Sequence, residues 1–316
     1  MIPSVAMFGR VVAIALNTYR ESLRARILLG LSGVAFAVAL YSLVVGAFTL
    51  KNAPRVVSDL GAASISIFSI AVAVIIGATS LHRELEQKTL FPILARPIRR
   101  SEYLVGKYLG TLLTITVFVM ADAALVLFLS AGLATRSLGL LLGVGLGLSA
   151  FFGILAWRVP MMRTYGPIPW AICVLVAGAW LADVAPDERR VVLASSLLTM
   201  LEIGIVSAAA MLFSSFSTPA LSSLFTLGVF VVGRQADALA RLPVRQFGQF
   251  LHDVGVGLSK VVPNLQVFVP ARPLLIGDVV DVRLSEYLGM AAVTSVSWAV
   301  GMLVVSVLVF NERDFL

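Results

Sequence analysis

The chain has 316 residues, 59% of them hydrophobic and only 13% charged, with a mean hydropathy of +0.99. A water-soluble domain of this length could not cover so much apolar surface with polar groups, which excludes a soluble enzyme or binding module. The net charge of +7 would point to nucleic acid in a soluble protein; here it reads as Lys and Arg holding loops on one side of a membrane, with no nucleic-acid partner.

Several apolar runs reach the ~20 residues needed to cross ~30 Å of hydrocarbon, and none shows the ~10-residue alternating segments of a β-barrel. The expected fold class is therefore all-α: a polytopic helical membrane protein with a single transmembrane domain over residues 1–316. The opening MIPSVAMFGR lacks a small-residue cleavage site and does not read as a signal peptide. Residues 8–26 carry Arg10, Arg20, Arg24 and Arg26 among Val11, Val12, Ile14, Ala15 and Leu16. That pattern predicts an amphipathic elbow helix in the membrane interface; a plain cytoplasmic extension of the first span is the simpler alternative.

Spans are predicted at Ile27–Leu50, Leu60–Leu81 and Tyr108–Gly132. Two less regular segments, Leu138–Trp157 and Ile168–Ala185, make a hairpin within residues 133–190. Val191–Phe216 follows, then the break Ser217-Thr218-Pro219, then a further span at Ala220–Val232. Residues 233–286 form a long mixed region containing Pro243, Pro263, Pro270 and Pro273, and the last span is Tyr287–Phe310. Eight spans result if the hairpin crosses fully and six if it does not. Either even count places both termini on the same side.

The densest charge lies between spans two and three, over residues 82–107, in the stretch LHRELEQKTLFPILARPIRRSEYLVGKYLG from Leu81 to Gly110. Glu84 and Lys88 stand at i, i+4, which suits a short helix leaving span two. Leu90, Ile93 and Leu94 give that helix an apolar stripe, Pro97 stops it, and Ser101 is a good N-cap for the next span. An amphipathic helix held between two spans can take force from a soluble motor; the plainer reading is a solvated loop that only satisfies the charge rule. Thirteen of the 24 Lys and Arg residues fall on the side of this loop if both termini share it. Five fall in the short opposite loops and six in residues 233–286, where long loops count weakly, so the loop is assigned to the cytoplasm.

Motifs for catalysis are missing. There is no GxxxxGK[ST] phosphate loop, since Gly106-Lys107 is followed by Tyr108, and HExxH, GxSxG and paired CxxC are absent. No enzyme activity, no cofactor and no metal site is expected of this chain. The single cysteine, Cys173, cannot form an internal disulfide and reads as a buried structural thiol. Two acids, Asp122 and Glu202, sit in the middle of predicted spans. A carboxylate at that depth faces either a substrate path or coupling switch, or an inter-helix hydrogen bond to Ser or Thr. Gly139, Gly143 and Gly147 lie on one helix face, which predicts close packing within the chain or, as the sharper alternative, a dimer contact.

ELEQKTLFPILARPIRRSEYLVGKYLG resembles the signature of permease subunits of type-2 ABC exporters. The matching positions are Glu84, Glu86, Thr89, Leu94, Arg96, Pro97, Ile98, Arg100, Glu102, Tyr103, Leu104, Gly106 and Lys107. LEIGIVSAAAMLFSSFSTPALSSLFTLGVF is similar to the fourth and fifth spans of that family. VVPNL with Phe268 and Arg272, and the terminal ERDF, resemble its last extracytoplasmic segment and tail.

The resemblance implies six spans, an elbow helix, and a coupling helix docking on an ATPase through Glu84, Glu86, Lys88, Thr89, Leu94, Arg96, Pro97 and Arg100. It also implies two ATPase subunits holding ATP and Mg, a second permease chain, identical or not, and a bacterial inner-membrane location. The hairpin within 133–190 departs from that pattern. Two alternatives stay open: a permease that transmits force to a periplasmic partner bound at residues 233–286, and an ion-coupled transporter using Asp122 and Glu202.

Overall fold

The computed structural model describes residues 3–49, 52–86, 99–278 and 283–312, with side chains for all of these except 3–6, 26, 27, 81–86 and 247. Among the described residues every regular element is helical. The first three are α1 (Pro3–Arg24), α2 (Arg26–Ala47) and α3 (Ala53–Glu86). After the loop come α4 (Arg100–Leu133), α5 (Leu138–Arg158), the short α6 (Met162–Tyr165) and α7 (Pro167–Leu181). A 3-10 turn at Ala182–Val184 leads into α8 (Pro186–Ser214) and α9 (Pro219–Arg234). The chain closes with α10 (Ala236–Ala240), α11 (Val244–Val261), a 3-10 turn (Leu265–Phe268), α12 (Arg272–Ile276) and α13 (Leu284–Glu312).

Helix starts follow local chemistry. Pro167, Pro186 and Pro219 stand in the first turn of α7, α8 and α9, where a missing N–H costs nothing. Asp187 and Glu188 add negative charge to the first turn of α8. Gly277 ends α12 at a φ of 88°, a backbone state open to glycine at little cost.

Seven of the described helices are long and apolar enough to cross a membrane: α2, α3, α4, α5, α7 with its 3-10 turn, α8 and α13. The eighth predicted span falls on α9, a helix of 16 residues. At 1.5 Å per residue it rises about 24 Å, short of ~30 Å of hydrocarbon. In contrast α3 and α4, with 34 residues each, rise about 51 Å and project well beyond the bilayer at the end that carries the charged loop. We call that end the loop side and the opposite end the far side.

The centre of the bundle is α3, α4 and α8. In the most apolar window of α8, 72% of residues are buried; in that of α5, 6%. Lipid entropy and van der Waals packing hold such helices together, so close backbone approach matters more than apolar area. A Cβ on Gly77 of α3 would sit 2.5 Å from the Cβ of Ala210 in α8. A Cβ on Gly110 of α4 would sit 2.4 Å from the carbonyl oxygen of Ala15 in α1. The elbow helix therefore lies directly on α4, running in the same direction: Arg10 meets Glu102, Ile14 meets Gly106, and Thr18 meets Gly110. Its buried stripe is Val11, Ala15, Thr18, Tyr19 and Ser22, at helical spacing.

The hairpin of α5 and α7 stands at the edge. α7 packs on α4, where Gly178 lies against Ala124 and Leu127, while α5 touches mainly α7. Two expectations change here. Gly139, Gly143 and Gly147 pack against nothing in the chain, because α5 presents them outward: a Cβ at each would meet no atom within 4 Å. Cys173 is exposed rather than buried, since it lies on the outer face of α7, away from α4.

Gly110→Ala is expected to cost ~1–3 kcal/mol by forcing α1 off α4, whereas Gly143→Ala in the open glycine face should change stability little. Thermal unfolding of the two variants in detergent checks this. A stable Gly110→Ala protein would contradict the packing.

Candidate functional site

The root of the charged loop is tied to four helices. Glu102, in the first turn of α4, is enclosed and accepts two hydrogen bonds from Arg10 of α1, from Nε at 2.8 Å and from Nη2 at 3.0 Å. Such a forked pair fixes orientation as well as distance. Lys107 of α4 is fully buried and donates from Nζ to the carbonyl oxygen of Ser80 at 2.7 Å and to its hydroxyl at 3.0 Å, joining α4 to α3. Arg100 donates to the carbonyl oxygens of Phe310 and Asn311, at 2.9 and 3.0 Å, capping the end of α13 with a cation. The Arg100 guanidinium also lies 5.9 Å from the centre of the Phe310 ring, and Tyr103 stacks on that ring at 6.5 Å. At the far end of α1, Tyr19 stacks on Tyr165 of α6 at 6.3 Å, and burial, with Tyr165 second, pushes its phenol up to about 12.

Of the predicted docking residues, Arg100 lies at this root and serves as a brace to α13. Glu84 and Glu86 fall in the last turn of α3, whose side chains are not described. Lys88, Thr89, Leu94, Arg96 and Pro97 lie outside the described residues. Charge density locates this region in the sequence, but nothing in a linear pattern pairs Arg10 with Glu102 or Lys107 with Ser80.

A second polar site lies inside the bundle. Glu202 of α8 is fully enclosed and accepts hydrogen bonds from Arg234, Nε to Oε1 at 2.6 Å and Nη2 to Oε2 at 2.7 Å. Nη2 of Arg234 also donates to the hydroxyl of Ser66 on α3 at 2.8 Å. The helix α9 thus ends in the bundle interior, its last residue clamped between α8 and α3. Sequence reasoning placed Arg234 in the extracytoplasmic region; its position at the end of a short apolar run was the signal available. The expected Ser or Thr partner for Glu202 is replaced by this cation. The flanking α8 carbonyls are also occupied: Tyr108 donates to Gly204 at 3.0 Å and Ser295 to Leu201 at 2.6 Å.

Arg234 borders a cavity of about 400 Å³ that opens toward the far side between α3, α8, α9, the Leu265–Phe268 turn and α12. Its polar rim is an ion network. Arg272 pairs with Asp59 and, at 3.4 Å, with Glu188, while Arg55 lies 3.8 Å from Asp59. These contacts join the start of α3, the start of α8 and α12. Arg55, Arg234 and Arg272 line the cavity with a single acid, Asp59, and each of the three is within reach of a carboxylate.

Asp122 stands apart from Glu202. It is fully buried in α4, and neither carboxylate oxygen has a hydrogen-bond partner among the described residues. Of the two readings open for it, the bond to Ser or Thr does not form among the described residues. Among the described residues no three His, Cys, Asp or Glu side chains converge on a common point that could hold a metal.

A helical bundle whose two longest helices flank the charged stretch of the sequence and are braced at that end to an amphipathic N-terminal helix has the make-up of a membrane permease subunit. A family model described as ABC-2 family transporter protein matches residues 12–315, nearly the whole chain. The protein belongs to that family and is the membrane part of an ABC transporter. No curated protein matches the chain.

Removing one partner of the interior ion pair strands a buried charge, so Glu202→Gln is expected to cost ~3–5 kcal/mol, while Glu202→Leu combined with Arg234→Leu recovers most of the loss. Thermal unfolding of the single and double variants provides the comparison. Equal losses in both would show that the pair is not closed in the folded protein. Asp122→Leu should raise stability by ~1–3 kcal/mol, because it removes a buried polar group without a partner while keeping its branching, less the strain of fitting a larger side chain. A lower unfolding temperature would mean that Asp122 has a partner.

Proposed function

We propose that this chain is the permease subunit of an exporter powered by ATP hydrolysis in two separate subunits, which dock on the charged loop at residues 82–107. A second permease chain completes the transport unit, and the substrate path runs between the two. The loop side faces the cytoplasm, with both termini there, in a bacterial inner membrane.

The observation that carries this reading is the brace at the root of the loop. A force applied to residues 87–98 enters two helices of about 51 Å, α3 and α4. Lys107 and Ser80 hold those helices to each other, Glu102 holds α1, and Arg100 holds α13. Displacement of the loop is therefore not absorbed locally. It moves helices as bodies, which is what closure of an ATPase pair would need in order to shift a permease between two states. A merely solvated loop would need none of these ties. At the far side the same α3 ends in the Asp59–Arg272–Glu188 network, so its movement also reaches the rim of the cavity.

Charge reversal at Glu84 and Glu86, both to Lys, is expected to abolish stimulation of the partner ATPase by the membrane subunit while insertion and thermal stability stay unchanged. Co-purification with the ATPase and hydrolysis rates in reconstituted vesicles supply the readout. Normal binding together with normal stimulation would remove the docking assignment.

A further inference from the structure

A second cavity, of about 550 Å³, lies between α2, α4, α5 and α7. Its walls are apolar: Phe36 and Leu40 from α2, Leu125 and Phe128 from α4, Leu141 from α5 and Val174 from α7. Protein interiors keep few voids larger than a water molecule, and a space with such walls does not hold water. This space also opens sideways toward the bilayer, where the surrounding medium is hydrocarbon.

The cavity has a polar mouth at one end only. Arg136, in the turn between α4 and α5, lines it at the far side. Arg136 is fixed there by two contacts, donating from Nε to the carbonyl oxygen of Leu181 at 3.3 Å and pairing through Nη2 with Asp183. Its Nη1 has no partner among the described residues. At the other end it is lined by Trp170 and Ser149, where Trp170 donates from Nε1 to the hydroxyl of Ser149 at 3.3 Å. From Leu138 to Ser149 is eleven residues of helix, or about 17 Å. That is close to half of ~30 Å of hydrocarbon, the depth of one leaflet.

From the polar mouth, the apolar length and the opening to the bilayer we infer that this cavity is a phospholipid site. One acyl chain lies along α5 down to Trp170, and the phosphate accepts a hydrogen bond from Nη1 of Arg136. The far-side leaflet supplies the lipid. The occupant fills the space between the hairpin and α2 and fastens the otherwise thinly packed α5 to the bundle. The inference is independent of ATP coupling, because it needs only the bilayer.

Trp170 makes the site observable. The full chain carries four tryptophans, and Trp157→Phe, Trp180→Phe and Trp298→Phe together leave Trp170 alone. Titrating that protein in detergent with phosphatidylglycerol brominated along its acyl chains should quench Trp170 at low lipid ratios. Gly145→Phe, which places a ring in the cavity, should abolish the quenching. Leu142→Phe does the same from a position half exposed to lipid, and so serves if Gly145→Phe does not fold. Arg136→Gln should weaken the apparent affinity about five-fold, the factor that one Arg is worth beside an anionic lipid headgroup. Unlabelled diacylglycerol, which has chains but no phosphate, should compete about five-fold less well than phosphatidylglycerol in the parent protein and equally well in Arg136→Gln. The inference fails if Trp170 is not quenched while a chain retaining only the exposed Trp157 is, the result expected when a helix of a second copy covers the groove. It fails equally if the cavity-filling variants quench like the parent.

Discussion

Three long helices hold this protein together because small residues let their backbones touch. In hydrocarbon the apolar faces of α3, α4 and α8 gain little from one another relative to lipid, so contact distance decides whether they associate. Gly77 against Ala210, and Gly61 against Val126, set that distance within the core, and Gly106 and Gly110 set it for α1. Everything polar depends on this frame. The ties at the root of the loop form only because α1 lies within a hydrogen bond of α4, and the interior ion pair forms only because α8, α9 and α3 converge.

Polar groups in the interior then divide into two kinds. Glu202 has a forked cation and Arg234 has a second acceptor in Ser66, so neither charge is stranded. That arrangement contributes little net stability compared with an apolar replacement, but it dictates where α9 stops. A helix of 16 residues that ends inside the bundle leaves room on the far side for α10, α11, α12 and the polar cavity. Asp122 has no such compensation among the described residues, and burying it carries a cost. A burden of that kind persists where a site has work to do, and α4, which carries Asp122, is also the helix rooted in the charged loop.

The hairpin of α5 and α7 obeys a different rule. Its second helix, α7, packs closely on α4, where Gly178 meets Ala124 and Leu127, but α5 is almost wholly exposed to its surroundings. The turn into α5 is tied to the end of α7, where Arg136 reaches Leu181 and Asp183, and α5 is tied to α7 again through Trp170 and Ser149. Gly143 and Gly147 of α5 and Cys173 of α7 border a common apolar groove on the outside of the hairpin.

Composition and run length were enough to establish a helical membrane protein, because the bilayer demands ~20 apolar residues per crossing and leaves the backbone no alternative to the helix. The break at Pro219, the charged stretch and the amphipathic pattern of α1 were equally legible, since each is a local property of consecutive residues. Depth and partnership were not. Arg234 looked like loop sequence and proved to be an interior residue, because its position follows from how far α9 rises between its neighbours. Gly139, Gly143 and Gly147 carry the spacing of a packing face and meet nothing in the chain, while Gly106 and Gly110, at the same four-residue spacing, pack on α1, and Gly77, without a motif, packs on α8. Only the tertiary structure could decide these points, because helical periodicity states which residues share a face and says nothing about which neighbour, or which solvent, that face will meet.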